Sequence, residues 1–192
     1  CAASETARDV AQHYCEAKVG TLPPHKFTNY VTGNQAYDEL PEQDDSGNNF
    51  RYLLEVYVDD FVSLVIPTSR EQLRHVSTGI MTGIHDVFPA DDDDSNDPIS
   101  EKKLKQGDGR YATKKIILGF EFDGVNKTLW LEEAKRAHLL TVLQGWICSS
   151  KAGMMGIPFK EFESVIAKVR HAFTAIPAGR GLLTPCFRPS HP

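Results

Sequence analysis

The residues best suited to chemistry in this 192-residue chain are two adjacent carboxylates, Asp59 and Asp60. They interrupt the apolar stretch 50–66, FRYLLEVYVDDFVSLVI. β-Branched and aromatic residues on both sides (Tyr52, Val56, Tyr57 and Val58, then Phe61, Val62, Val65 and Ile66) predict two strands with the acidic pair at the turn. Like charges at the tip of an apolar hairpin disfavour folding, because they repel and stand beside low-dielectric packing. A divalent cation removes that cost: Mg2+ takes carboxylate oxygens and keeps positions open for substrate phosphates. Aspartates also enter turns for purely backbone reasons. The run Asp91 to Asp94, between Pro89 and Ser95-Asn96, reads as such a solvated loop. Apolar strands on both flanks and an aromatic two residues before are what set Asp59 and Asp60 apart.

The elements around the hairpin follow from periodicity and punctuation. Residues 4–19 carry Ala7, Val10, Ala11, Tyr14 and Cys15 at i, i+3, i+4 spacing, an amphipathic helix ended by Gly20. Residues 20–49, with Pro23, Pro24, Gly33 and an acidic cluster, lack periodicity and read as a long, partly disordered loop with no catalytic part. After the hairpin, Ser69 with Gln72 is a capping-box signature for a helix to about His85, with Leu73, Val76, Ile80 and Ile84 as its buried stripe. Gly79 and Gly83 weaken that helix but allow close packing against the sheet. Residues 88–110 read as loop, with Lys102, Lys103 and Lys105 as a solvated basic cluster.

Residues 114–131 read as a second hairpin, turning at Asp123-Gly124, with Gly119 inside its first strand marking close approach of a backbone or ligand. A helix is expected over about 132–147. Another opens with Pro158 at its first position and presents Phe159, Phe162, Ile166, Val169 and Phe173 on one face. Lys135, Arg136, Lys160, Lys168 and Arg170 fall on the exposed faces of the two. The tail IPAGRGLLTPCFRP begins a further, truncated helix. The fold class is α+β.

Composition narrows the function classes. Hydrophobic residues make up 41% and charged residues 24%, an ordinary globular balance. No apolar run reaches membrane-spanning length and no secretory leader opens the chain, so no membrane partner is expected. Four cysteines (Cys1, Cys15, Cys148, Cys186) lie scattered, as reduced thiols of an intracellular protein would. The net charge of -5 divides unevenly: residues 1–110 carry 10 basic and 20 acidic side chains, residues 111–192 carry 11 and 6. An acidic front with a basic rear accommodates a metal site beside a polyanion track, and equally two solvated faces. There is no phosphate-binding glycine loop, no H-E-x-x-H and no serine nucleophile elbow. The seven dispersed histidines read as structural.

In this order of elements the chain resembles a reverse transcriptase of a retrotransposon-type element. Tyr57-Val58-Asp59-Asp60 matches that family's motif C, the Tyr-x-Asp-Asp box. CAASETARDVA resembles the helix after motif B, Lys102-Lys103 the motif D lysine region (with Lys114 competing), and Ile117-Leu118-Gly119-Phe120 the primer grip, motif E. The segment IPFKEFESVIAKVRHAFTAIPAGRGLL resembles thumb or connection helices. The resemblance implies a partial palm over 1–131, an antiparallel sheet packed on helices, and a helical thumb or connection over 132–192.

For function it implies an RNA-directed DNA polymerase, with two Mg2+ (or Mn2+) ions driving nucleotidyl transfer from a dNTP to a primer 3′-hydroxyl on an RNA or DNA template. Asp59 is then the principal metal ligand, Asp60 a supporting one, and Lys103 a proton donor to pyrophosphate. Tyr57 and Val58 lie against the duplex and incoming sugar, and Leu118, Gly119 and Phe120 hold the primer backbone. The family's third carboxylate, on motif A, and the fingers would precede Cys1. The chain therefore reads as a processed or truncated piece, inactive by itself. The competing expectation is a binding remnant that holds nucleic acid without polymerising. Another palm-type nucleotidyltransferase or cyclase is disfavoured by motif E and the basic rear helices.

Overall fold

The computed structural model describes residues 2–30, 35–43, 50–90, 97–151, 156–176, 179 and 181–183. The aspartate run 91–94, Gly33, Cys1, Cys186 and most of the expected tail helix (177, 178, 180 and 184–189) lie outside the described residues. The described elements are mixed α and β, with small antiparallel sheets. Helices α1 (Ala2–Glu16), α2 (Gln35–Asp38), α3 (Arg70–Val87), α4 (Glu101–Gln106), α5 (Glu133–Lys151) and α6 (Phe159–Ala172) accompany strands β1 (Arg51–Tyr57), β2 (Asp60–Ile66), β3 (Lys114–Ile117), β4 (Phe120–Asp123) and β5 (Thr128–Leu131). No described helix is long and apolar enough to cross a membrane.

The chain separates into two compact units, Cys1–Ala112 and Thr113–Pro192, rather than after residue 131. The boundary falls earlier because the sheet β3-β4-β5 shares a core with the two C-terminal helices. Leu131 packs with Leu139, Val165, Ile166 and Val169.

In the first unit, α1 lies against α3. Small residues at helical spacing make this possible: Ser4, Ala7, Ala11 and Cys15 are buried on α1. Gly79 and Gly83 answer them from α3, so their close packing is against α1 and not against the sheet. A β-carbon on Gly83 would stand 2.5 Å from the Ala11 backbone nitrogen, and one on Gly79 2.8 Å from Cys15 Sγ. Burial pushes the Cys15 thiol up to about 12, so it stays protonated and inert. Half of the capping box at α3 is realised as expected, with Ser69 Oγ accepting from the Gln72 N–H at 3.4 Å. The Gln72 carbonyl turns instead to the Thr68 N–H, at 2.8 Å.

Two expectations need correction here. The described part of 20–49 contributes to the core: Phe27, Thr28 and Tyr37 are buried. Pro41 is tied to the start of α3, its carbonyl accepting from the Arg70 N–H. Residues 88–110 contain α4, whose Leu104 closes a small core with Phe27 and Met81. Ser100 caps it, and Gly107, in the left-handed region at φ 99°, ends it. One turn and a half of helix was too short for periodicity to register.

In the second unit, the stretch read as one hairpin is a three-stranded meander. Gly119 is a turn residue, not a strand residue. Leu118 (φ 52°) and Gly119 (φ 83°) form a two-residue connection with positive φ at both positions, the requirement of a type I′ turn. On α6, Ile166 and Val169 are buried as expected, but Phe159 is exposed. Pro158 is the cap residue rather than the first helical one.

Candidate functional site

The hairpin that carries Tyr57-Val58-Asp59-Asp60 is held by one face only. Register pairs Tyr52 with Val65, Leu54 with Ser63 and Val56 with Phe61 on the covered face. Leu53 with Leu64 and Arg51 with Ile66 occupy the open one, where all four residues are exposed. Tyr111 ties the covered face to α3, its hydroxyl lying 3.5 Å from Ser63 Oγ and 3.3 Å from Ser77 Oγ. Burial raises the pKa of that hydroxyl. Tyr52 is likewise pushed up to about 12, by burial first and then by the neighbouring Cys15 and Glu16. Both phenols therefore act as neutral packing groups that fix the hairpin's angle.

At the tip, Tyr57 pairs with Asp60, so the turn proper is Val58-Asp59 and Asp60 opens β2. Val58 has φ 62° while Asp59 does not enter the positive region, the φ pattern of a II′ turn with valine in the place usually filled by glycine. Tyr57, Val58, Asp59 and Asp60 are all exposed. This corrects the folding-cost argument: both carboxylates are solvated, so the hairpin needs no cation to fold. Hard carboxylate oxygens at an open tip suit Mg2+ or Mn2+ in donor type. Among the described residues no group of three His, Cys, Asp or Glu assembles, so the pair supplies only part of a coordination shell.

The remaining expected residues fall in separate places. Lys102 and Lys103 are exposed on α4, which is anchored by Leu104 in the Phe27–Met81 cluster. Lys114, the competing motif D residue, belongs to the second unit and is engaged: its Nζ lies 2.7 Å from Asp123 Oδ2. Asp123 is held well below the usual carboxylate range, by the Asn126 N–H first and then by Lys114 and the Asn126 amide. That fixes the β4–β5 turn and leaves Lys114 a structural cation.

The Leu118-Gly119 turn is clamped by its own unit. The His171 ring lies 3.0 Å from Leu118 O and packs on Phe120, and Gly119 O accepts from the Glu132 N–H at 3.1 Å. Lys135 Nζ stands 2.5 Å from where a β-carbon on Gly119 would be. His171 was not legible as a partner of this turn, because its role depends on α6 meeting β4. Dispersed spacing also concealed His25, His85 and Asp97, which lie in one hydrogen-bonded line.

Compared with known family models, curated proteins and solved structures, the chain gives no match.

Proposed function

We propose that the chain is a palm-and-thumb segment of a retrotransposon-type reverse transcriptase, an enzyme that extends a primer 3′-hydroxyl on an RNA or DNA template. The observation that carries the reading is the tip itself. The strands that carry Tyr57-Val58-Asp59-Asp60 form a two-residue turn with both carboxylates exposed; α1 packs on β1, and the Tyr111 hydroxyl links Ser63 of β2 to Ser77 of α3. Asp59 and Asp60 would hold Mg2+ or Mn2+, which would supply Lewis-acid activation of the hydroxyl and of the leaving pyrophosphate. Val58 orients the incoming sugar, Tyr57 packs on the duplex, and Lys103 on α4 delivers a proton to pyrophosphate. The clamped turn Leu118-Gly119 with Phe120 holds the primer backbone, where phosphate contacts set register without reading sequence. In a chain joined to a half bearing the third carboxylate, Asp59→Asn abolishes primer extension while leaving duplex binding in place. Extension that survives Asp59→Asn removes the reading.

A second reading rests on the basic helices, where Lys160, Lys168 and Arg170 lie exposed on α6. A non-catalytic remnant would bind primer–template through basic side chains alone. Its affinity would not respond to Mg2+ or to Asp59→Asn, and the same two variables decide between the readings.

A further inference from the structure

Three side chains far apart in sequence form a line beneath the end of α3. His25 precedes a single 3-10 turn (Thr28–Tyr30), His85 lies on the last turn of α3, and Asp97 precedes α4. His25 Nε2 is 2.9 Å from His85 Nδ1, and His85 Nε2 is 2.9 Å from Asp97 Oδ1. Two backbone donors close the ends: the Phe27 N–H donates to His25 Nδ1 at 3.2 Å, and the Ile99 N–H to Asp97 Oδ1 at 2.8 Å.

These partners leave one arrangement of protons. Because the Phe27 N–H donates to His25 Nδ1, that nitrogen carries a lone pair, and the neutral ring bears its proton on Nε2. His25 Nε2–H then donates to His85 Nδ1, which puts the His85 proton on Nε2, facing the carboxylate. Every donor meets an acceptor only while both rings are neutral. An added proton can go only to an Nδ1. On His25 it would meet the Phe27 N–H, and on His85 it would meet His25 Nε2–H. Shifting the His25 proton to Nδ1 only moves the clash to Phe27.

The surroundings work in the same direction. Lys26 Nζ stands 2.8 Å from Asp97 Oδ2, an ion pair rather than an aligned hydrogen bond, so the carboxylate's charge is already answered. Burial raises the Asp97 pKa, but Lys26, His85 and the Ile99 N–H outweigh it and hold the group at about 2. Of the other charged groups nearby, Asp86 on α3 is bound by the Tyr14 hydroxyl of α1 at 2.6 Å. Glu101 on α4 accepts from Tyr30 at 2.8 Å and pairs with Lys105 at 3.0 Å. Phe27 covers both rings, its centroid 5.6 Å from that of His25 and 6.1 Å from that of His85.

We propose that His25, His85 and Asp97 form a proton-sensitive clasp: it holds residues 25–30 and the start of α4 on the end of α3 while both imidazoles are neutral, and lets go when the pair takes up a proton. The segments it joins meet again in the core made by Phe27, Met81 and Leu104, so opening loosens that core. Burial first, then His85 and Lys26, lower the His25 pKa. A base held below its unfolded value contributes stability that is complete above about pH 6.5 and fades as pH falls through that value. The clasp therefore opens toward acid.

The test uses the whole chain and reads individual sites, because His75, buried on α3 with its own pKa lowered, would give a similar global pH dependence. At about pH 7.5, imidazole nitrogen spectra show both His25 and His85 as Nε2–H tautomers. Amide-exchange protection of Phe27, corrected for intrinsic rate, falls by about tenfold per pH unit below the clasp's midpoint, while that of Val76 in mid-α3 holds. In His25→Asn, whose side-chain oxygen still accepts from Phe27 but takes no proton, the Phe27 dependence disappears. An Nδ1–H tautomer on either ring, a pH-independent Phe27 in the wild type, a parallel fall at Val76, or an unchanged response in His25→Asn overturns the proposal. The tautomer spectra decide the matter in the wild-type chain should the variant fold poorly.

Discussion

Val58 holds a backbone conformation that L-residues avoid and β-branched ones avoid most, at φ 62° and with its side chain in solvent. The left-handed region costs such a residue about 1–2 kcal/mol, and no burial offsets that here. Asparagine tolerates the same φ through its short polar side chain. Val58→Asn is therefore expected to stabilise the chain by about 1 kcal/mol, read as a higher urea midpoint at unchanged slope. A lower midpoint would mean that the valine is not strained. The residue types at the tip, Tyr57 through Asp60, could be read directly. Their exposure could not, because it depends on which face of the hairpin α1 covers.

Elements in this chain are keyed by what their glycines do. Gly83 faces the Ala11 backbone with no room for a methyl group, whereas Gly145 on α5 has nothing within 4 Å of a β-carbon. Gly83→Ala is expected to cost about 1–3 kcal/mol by overpacking the α1–α3 contact. Gly145→Ala is expected to gain about 0.5–1 kcal/mol from helix propensity alone. Denaturant titrations of the two variants check both signs; two shifts of the same sign would refute the contact argument. Strands β1 and β2 and helices α1, α3, α5 and α6 were legible because each spans enough residues for a period to repeat. Helix α4 was too short. The split of the second hairpin was hidden by Gly119, because a glycine within an apolar run marks a close approach and a turn alike. Gly79 and Gly83 announced close packing, but the expected partner, the sheet, was the wrong one, because helix periodicity does not say which element meets α3.

Charge divides between the two units. The first, through Ala112, carries 10 basic and 20 acidic side chains; the second carries 11 and 6. Lys135 and Arg136 are partly answered by Glu132 and Glu133 at 3.0 and 2.6 Å, while Lys160, Lys168 and Arg170 lie exposed on α6. If these helices track a polyanion, raising salt from about 50 to about 200 mM weakens primer–template binding about tenfold for every two phosphates engaged. Fluorescence anisotropy across a salt series measures it, and a flat response excludes the basic helices as the contact. The earlier boundary was not legible because the core residue Leu131 ends a strand yet packs with helices.

The α1–α3 interlock has a consequence for how such a chain would age. Asp59 and Asp60 are solvated, so replacing them leaves the fold nearly as stable, whereas Gly79 and Gly83 admit almost no alternative. If the acidic tip serves the proposed chemistry, a lineage released from that chemistry would lose its tip early and keep its glycines late. The order in which those four letters disappear would then date the loss of that function separately from the loss of the fold.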